Sequence, residues 1–370
     1  MTTTLTKGPF KADHVGSFLR PERIKQARLQ VENGEMTKKQ LRAIEDEEIR
    51  KLVEKQKQIG LKAVTDGEFR RAWWHFDFLS ELVGVELYEA ETGIQFHGVQ
   101  TKAHGIKVTG KLDFNHHPMI EDYKFLHQAA GKEHVAKFTI PSPNMLFFRG
   151  HIEESAYSDT DVFFADLVKT YQKAIQAFYD AGCRYLQLDD TAWAVFFSEK
   201  GQEQIASKGF TPQELLKRFT DAINESIAHK PDDMVITMHI CRGNFQSTYT
   251  ASGGYENASK AIFSQLNVDG LFLEFDDERS GGFEPLRHVK RDDLQIVLGL
   301  ITSKFGDLED PEALKKRIAE AAEFVSLDQI CLSPQCGFAS TEEGNLLTEE
   351  QQWDKVKHVI SISEDVWSNH

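Results

Sequence analysis

The sequence predicts an α/β fold of the (β/α)8 TIM-barrel type, and three observations carry that prediction. Short apolar runs ending in polar or small residues recur along the chain, segments of helical spacing lie between them, and residues capable of chemistry stand at the C-terminal ends of nearly all the runs. Runs that are apolar on both faces are those of parallel strands covered by helices. A doubly wound sheet shares the alternation, but barrel active sites assemble at strand C-terminal ends, and this favours the barrel.

The first strand is expected near 12-ADHVGS-17. The others follow in 62-KAVTDGE-68, 135-VAKFTIPSP-143, 184-RYLQLDD-190, 234-MVITMHIC-241, 269-DGLFLEF-275, 295-QIVLGLI-301 and 329-QICLSP-334. Helical spacing marks 40–60, 161–182, 212–228 and 311–325. Gly60 and Gly182 stand where two of these helices should stop, because glycine enters the left-handed conformation without a Cβ clash. The stretch 211-TPQE-214 starts another, with Thr211 as N-cap, Pro212 in the first turn and Glu214 completing a capping box. Residues 83–114 break the rhythm, alternating like strands and carrying several glycines, and predict a hairpin-like insertion. With no internal repeat and no low-complexity linker, the expectation is one barrel over residues 1–370 with an insertion at about 83–114.

A composition of 40% hydrophobic and 27% charged residues is that of a chain able to bury a sizeable core. The net charge of -15 weighs against a phosphate-backbone partner, so small-molecule substrates are expected and nucleic acid is not. The N-terminal MTTTLTKGPF lacks an apolar signal core, and no run approaches the length of a membrane span. These features predict no membrane association and a cytoplasmic location.

The four cysteines are too sparse for a disulfide scaffold. Cys183 follows a helix-ending glycine and Cys331 lies inside an apolar run, so both read as small core residues. In 236-ITMHICRGN-244, His239 and Cys241 are two apart on a strand and address one point at the barrel mouth. Alone, the pair reads equally as a satisfied histidine beside a buried cysteine. Cys336, in the loop after the last apolar run, is poorly explained as core, and Glu274 ends a further run where a buried carboxylate needs a cation or water. The acidic neighbours Asp276, Asp277 and Glu278 leave a solvated turn open for Glu274. Together His239, Cys241, Glu274 and Cys336 offer the nitrogen, sulfur and oxygen donors that Zn2+ accepts. Such a zinc would bind a substrate thiol as thiolate at neutral pH.

In the same order along the chain, 15-VGSF-18, 65-TDGEFRR-71, 186-LQLDD-190, 238-MHIC-241, Glu274 and 334-PQCG-337 resemble the catalytic C-terminal barrel of the cobalamin-independent methionine synthases. The resemblance covers most of the chain and implies a single-barrel form, since the length leaves no room for that family's N-terminal barrel. It implies zinc on His239, Cys241, Glu274 and Cys336, with Ser17 holding the carboxylate of homocysteine and Glu68 and Asp189 its ammonium group. Carboxylates and a hydroxyl are suitable partners for a zwitterion. A helix cap for Ser17 and surface ion pairs of Glu68 with Arg70 or Arg71 are the structural alternatives. Two departures stand out. The family's histidine after strand seven has no match in 299-GLITSKFGDLE-309, where Lys304 falls nearest, and the tryptophan beside the pterin is replaced within 139-TIPSPNM-145. Trp73, Trp74 and His75 lie beyond Glu68, where they would line the donor side or simply pack.

The resemblance therefore implies methyl transfer to homocysteine, giving methionine, with methyltetrahydrofolate as the donor. Three alternatives stay open: a zinc-dependent thiol alkyltransferase with another donor or acceptor, a non-catalytic zinc barrel that binds a sulfur amino acid, and a metal-free barrel enzyme such as a decarboxylase of the uroporphyrinogen type.

Overall fold

The computed structural model describes residues 7–91, 93, 101, 103–249 and 251–368. Its strands are β1 (Ala63–Val64), β2 (Val83–Glu89), β3 (His104–Asp113), β4 (Val135–Pro141), β5 (Gly150–Ile152), β6 (Tyr185–Asp190), β7 (Val235–Ile240), β8 (Gly270–Glu274), β9 (Gln295–Ile301) and β10 (Ile330–Pro334). Seven of them form one parallel sheet in the order β1-β4-β6-β7-β8-β9-β10. Sheet neighbours thus follow chain order, so every connection steps the same way and the sheet curls, as in a TIM-like barrel.

The segment expected as the first strand joins the two ends of this sheet. Ala12 bridges Leu332 of β10, and Ser17 bridges Gly67 just beyond β1, both in parallel. The backbone N–H of Asp13 donates to Leu332 O at 3.0 Å and that of Phe18 to Gly67 O at 3.1 Å. The joint brings Ser17 beside Glu68 although a long helical hairpin separates them in the chain.

Alternation along the strands sorts side chains to the two faces. On β6, Leu186 and Leu188 belong to the main apolar core under the helices, whereas Gln187 and Asp189 point the other way. The inward face is unusually polar, so its groups must satisfy one another. Lys137 Nζ meets Asp13 Oδ1 at 3.1 Å, the Tyr185 hydroxyl donates to Asp13 Oδ2 at 2.8 Å, and Gln187 Nε2 donates to Val15 O at 2.7 Å. This network fills the barrel below the site and ties the N-terminal segment to β4 and β6.

The predicted helices form at Lys38–Gln58, Thr160–Asp180, Pro212–Ile227 and Pro311–Ala321. Gly60 and Gly182 follow two of them with φ of 101° and 102°, and Thr211 and Glu214 make the reciprocal capping box. Further helices form at Glu22–Glu32, Met119–Ala130 and Glu349–Trp367. After β7 and β8 the described residues contain only short 3-10 and π turns in place of full helices. Long loops therefore cover that part of the mouth. In the region expected as an insertion, β2 pairs antiparallel with β3 and β5 adds to it in parallel, while residues 94–100 lie outside the described residues. No helix among the described residues is long and apolar enough to cross a membrane.

Candidate functional site

The register of the parallel sheet assembles the site. Asp189 on β6 stands opposite His239 on β7, near the C-terminal ends of both strands, and His239 opposite Phe272 in the middle of β8. Backbone geometry then delivers Cys241 one residue past β7 and Cys336 two residues past β10. One donor atom each from His239, Cys241 and Cys336 lies within 4.8 Å of the others, and all three residues are buried. The two sulfurs are 3.6 Å apart. His239 Nδ1 is 3.3 Å from Phe272 O, which leaves Nε2 directed at the cluster with no hydrogen-bond partner among the described residues. A buried, unpartnered imidazole nitrogen beside two thiols is the donor set of a soft or borderline metal, and Zn2+ fits it.

The electrostatics have the same origin. Burial opposes charge on His239, but Cys336, Asp189 and Glu274 outweigh it and push the imidazole up to about 9. The hydrogen bond from Cys241, with help from His239 and Asn244, holds the Cys336 thiol well below its usual range against the effect of burial. Cys241, paired to that sulfur and buried, is pushed well up.

Glu274 ends β8 close to this cluster, but its carboxylate is engaged elsewhere. Oε1 accepts from the backbone N–H of Arg242 at 2.6 Å, and Oε2 lies 3.4 Å from Arg279 Nη2. The structure thus brings together three of the four expected metal donors, while the fourth, itself buried, is turned to Arg242 and Arg279. Lys304 is buried in an ion pair with Asp276 Oδ2 at 2.6 Å, in a chain of charges that continues through Arg279 to Glu274.

Ser17, Glu68, Asp189, His239, Cys241 and Cys336 all line one cavity. Glu68 holds φ at 59°, a strained value for a residue with a Cβ. The turn that imposes it is fixed by Asp66 Oδ1, which accepts from the Glu68 N–H at 2.9 Å. Glu68 Oε1 accepts from Thr139 Oγ1 at 2.8 Å and lies 3.7 Å from Arg71 Nη1, while Oε2 has no partner among the described residues. Glu68 is 4% exposed, so the pairing with Arg71 is a buried one rather than a surface ion pair. Burial raises its pKa, and burial likewise pushes Asp189 up to about 7. Two desolvated carboxylates on one cavity wall favour an incoming cation. Ser17 Oγ accepts from the Ala339 N–H at 3.3 Å, and Gly337 packs so closely that a Cβ there would sit 1.9 Å from Ser17 Oγ.

Trp73, Trp74 and His75 line the same cavity, on the side where the sequence places a donor or simple packing. Sequence reasoning missed Arg149, Thr191 and Asn244, which also line it. Asn244 stands inside the 236–244 stretch and donates to Gly337 O at 2.7 Å, tying the β7 loop to the β10 loop. Cys183 and Cys331 are buried in the apolar core as expected.

The chain is similar to known proteins over nearly its whole length. Residues 10–354 match the family described as cobalamin-independent synthase, catalytic domain. The Bacillus subtilis (strain 168) protein YxjG is 67% identical over 362 residues, covering 98% of this chain and 96% of its own. A Listeria monocytogenes crystal structure assigned as a vitamin-B12-independent methionine synthase superimposes with a TM-score of 0.81 at 51% identity, covering 98% of this chain and 99% of its own. A B12-independent methionine synthase from Shewanella sp. W3-18-1 shares the fold, with a TM-score of 0.74 at 18% identity over 97% of this chain and 98% of its own. With a family model spanning nearly its whole length, this chain belongs to the cobalamin-independent synthases, through their catalytic domain.

Proposed function

We propose that the protein is a zinc-dependent methyltransferase that moves a methyl group to the sulfur of homocysteine to give methionine, acting in the cytoplasm as a single catalytic barrel. The observation that carries this reading is the meeting, in one cavity, of a thiophilic donor cluster with two desolvated carboxylates and a hydroxyl. A thiol-bearing amino acid matches both halves at once.

His239, Cys241 and Cys336 would hold zinc, with Glu274 as the remaining donor once its carboxylate leaves Arg242 and Arg279. When bound, the metal supplies a cation that keeps the substrate thiol deprotonated at neutral pH. Glu68 and Asp189 bind the substrate ammonium, whose charge compensates the desolvation that raises both carboxyls. Ser17 Oγ donates to the substrate carboxylate while still accepting from Ala339. Gripped at both ends, the amino acid presents its sulfur at the metal cluster and loses the freedom that would otherwise oppose in-line attack on the donor methyl. The indole walls of Trp73 and Trp74 exclude water from that approach. Methyltetrahydrofolate is the donor this reading names first.

The test is a donor screen. Purified protein loaded with zinc is incubated with homocysteine and each candidate donor, and methionine is measured. Methionine from one donor is expected. Stoichiometric zinc with bound homocysteine but no methionine from any donor would make the protein a binding barrel instead.

A further inference from the structure

The two ends of the amino acid are met by different loops, and one buried side chain ties those loops together. Ser17 lies on the N-terminal segment that joins the sheet ends, and Glu68 lies in the turn after β1. Behind both is Arg20, which is 3% exposed and is not among the residues that line the cavity. Its Nη1 donates to Ala339 O at 2.5 Å and reaches Phe18 O at 3.5 Å. Its Nη2 donates to Glu68 O at 2.8 Å and to Arg71 O at 3.1 Å. One terminal nitrogen therefore serves the Ser17 side of the site and the other serves the Glu68 side.

These contacts fix the peptides that carry the two anchors. Ala339 is held from both ends, with its N–H on Ser17 Oγ at 3.3 Å and its carbonyl on Arg20, so the hydroxyl and the guanidinium share one peptide. Glu68 is held in the same manner. Its N–H donates to Asp66 Oδ1 at 2.9 Å and its carbonyl accepts from Arg20, which together pin the φ of 59° that places its side chain on the cavity wall. A strained residue persists only where its surroundings over-determine it, and Arg20 supplies half of that constraint. The guanidinium is planar and its nitrogens keep a fixed separation. It therefore acts as a rigid spacer between the loops, which an ammonium on a flexible stem cannot imitate.

Resting on the homocysteine reading, we propose that Arg20 is a positioning residue that sets the distance between the carboxylate anchor at Ser17 and the ammonium anchor at Glu68. It thereby selects an α-amino acid, in which both charges sit on one carbon, over thiols that carry a single charge. A ligand gripped at two points gains from their spacing, because the second contact forms with little further loss of freedom. A ligand gripped at one of them gains nothing from it.

The test compares three thiols by calorimetric titration of the full-length, zinc-loaded protein: homocysteine, 4-mercaptobutyrate, which lacks the ammonium, and 3-mercaptopropylamine, which lacks the carboxylate. Arg20→Gln weakens homocysteine binding at least about tenfold, changes binding of either truncated thiol by less than about twofold, and keeps one zinc per chain. Arg20→Lys retains the charge but not the fork, and its homocysteine affinity falls between those of the wild type and Arg20→Gln. If Arg20→Gln does not fold, the lysine variant carries the same comparison. Homocysteine affinity unchanged in the variants overturns the proposal. An equal loss for all three thiols also overturns it, because Arg20 would then merely hold the fold. Failure of the wild type to bind homocysteine removes the amino-acid reading together with this role, whereas wild-type binding matched by the variants removes the positioning role alone.

Discussion

The sulfurs of Cys241 and Cys336 stand 3.6 Å apart across the barrel mouth, although 95 positions separate the residues in the chain. Their proximity is set by β7 and β10 as rigid supports and by the Asn244 bond to Gly337 O that clamps the two loops. Replacing Cys336 with serine substitutes a hard, poorly ionised hydroxyl for a thiolate. Zinc affinity should fall by more than the roughly 10–100-fold that follows loss of an outer-shell partner. Metal analysis after dialysis checks this, and one zinc per chain retained in the variant would refute the ligand assignment.

Gly337 and Ser17 provide a second lever. A Cβ at Gly337 would lie 1.9 Å from Ser17 Oγ and 3.1 Å from its Cβ, so Gly337→Ala must displace the serine. The expected result is a homocysteine KM raised about tenfold, the loss of one hydrogen bond to a charged group, with zinc content unchanged. Ser17→Ala should give a similar KM, and the double variant should add little, because both substitutions remove the same contact. Additive effects would mean that Gly337 acts through something other than Ser17.

The site residues legible in the sequence share one property. Ser17, Glu68, Asp189, His239, Cys241 and Cys336 each end or closely follow an apolar run, and in a barrel that position alone puts a side chain at the mouth. Arg149 lacked that signal because it closes a short apolar helix rather than a strand. The orientation of Glu274 was equally hidden. Its residue type suggested a ligand, but the Arg242 N–H and the Arg279 guanidinium that direct its oxygens come from neighbouring loops. The helix Glu349–Trp367 was as legible as the site residues, with Trp353, Val356, Val359 and Ile362 at helical spacing, and what the hydropathy pattern does not show is its buried Lys355, neutralised by Glu309 at 2.8 Å.

Glu68 combines a site position with backbone strain. Holding φ at 59° with a side chain costs on the order of 1–3 kcal/mol, which glycine avoids, and the buried carboxylate adds a desolvation penalty. Glu68→Gly should therefore melt no lower than the wild type despite losing the Thr139 bond, while homocysteine binding drops sharply. Calorimetric melting and homocysteine titration measure the two effects. A fall of several degrees in Tm would show that Thr139 and Arg71 stabilise Glu68 by more than the strain and burial cost.

Acid should loosen the fold through histidines remote from the metal. Burial is the main cause that holds His14 and His117 down to about 4, against an ordinary 6.5. His117 shows why. Its Nδ1 accepts from the Met119 N–H at 3.2 Å and its Nε2 reaches Phe78 O at 3.0 Å, so a second proton would break the first bond. Between pH 6.5 and 4 the unfolded chain binds protons that the folded chain refuses. The contribution of each ring is thus complete above pH 6.5, falls as the pH drops, and has lost about 3 kcal/mol by pH 4. His117→Gln, which keeps a donor and an acceptor but cannot take up a proton, should flatten the decline in unfolding free energy between pH 7 and pH 4.5 measured by urea titration. An unchanged slope in that variant would show that His117 is already protonated in the folded protein or that its ring is open to solvent.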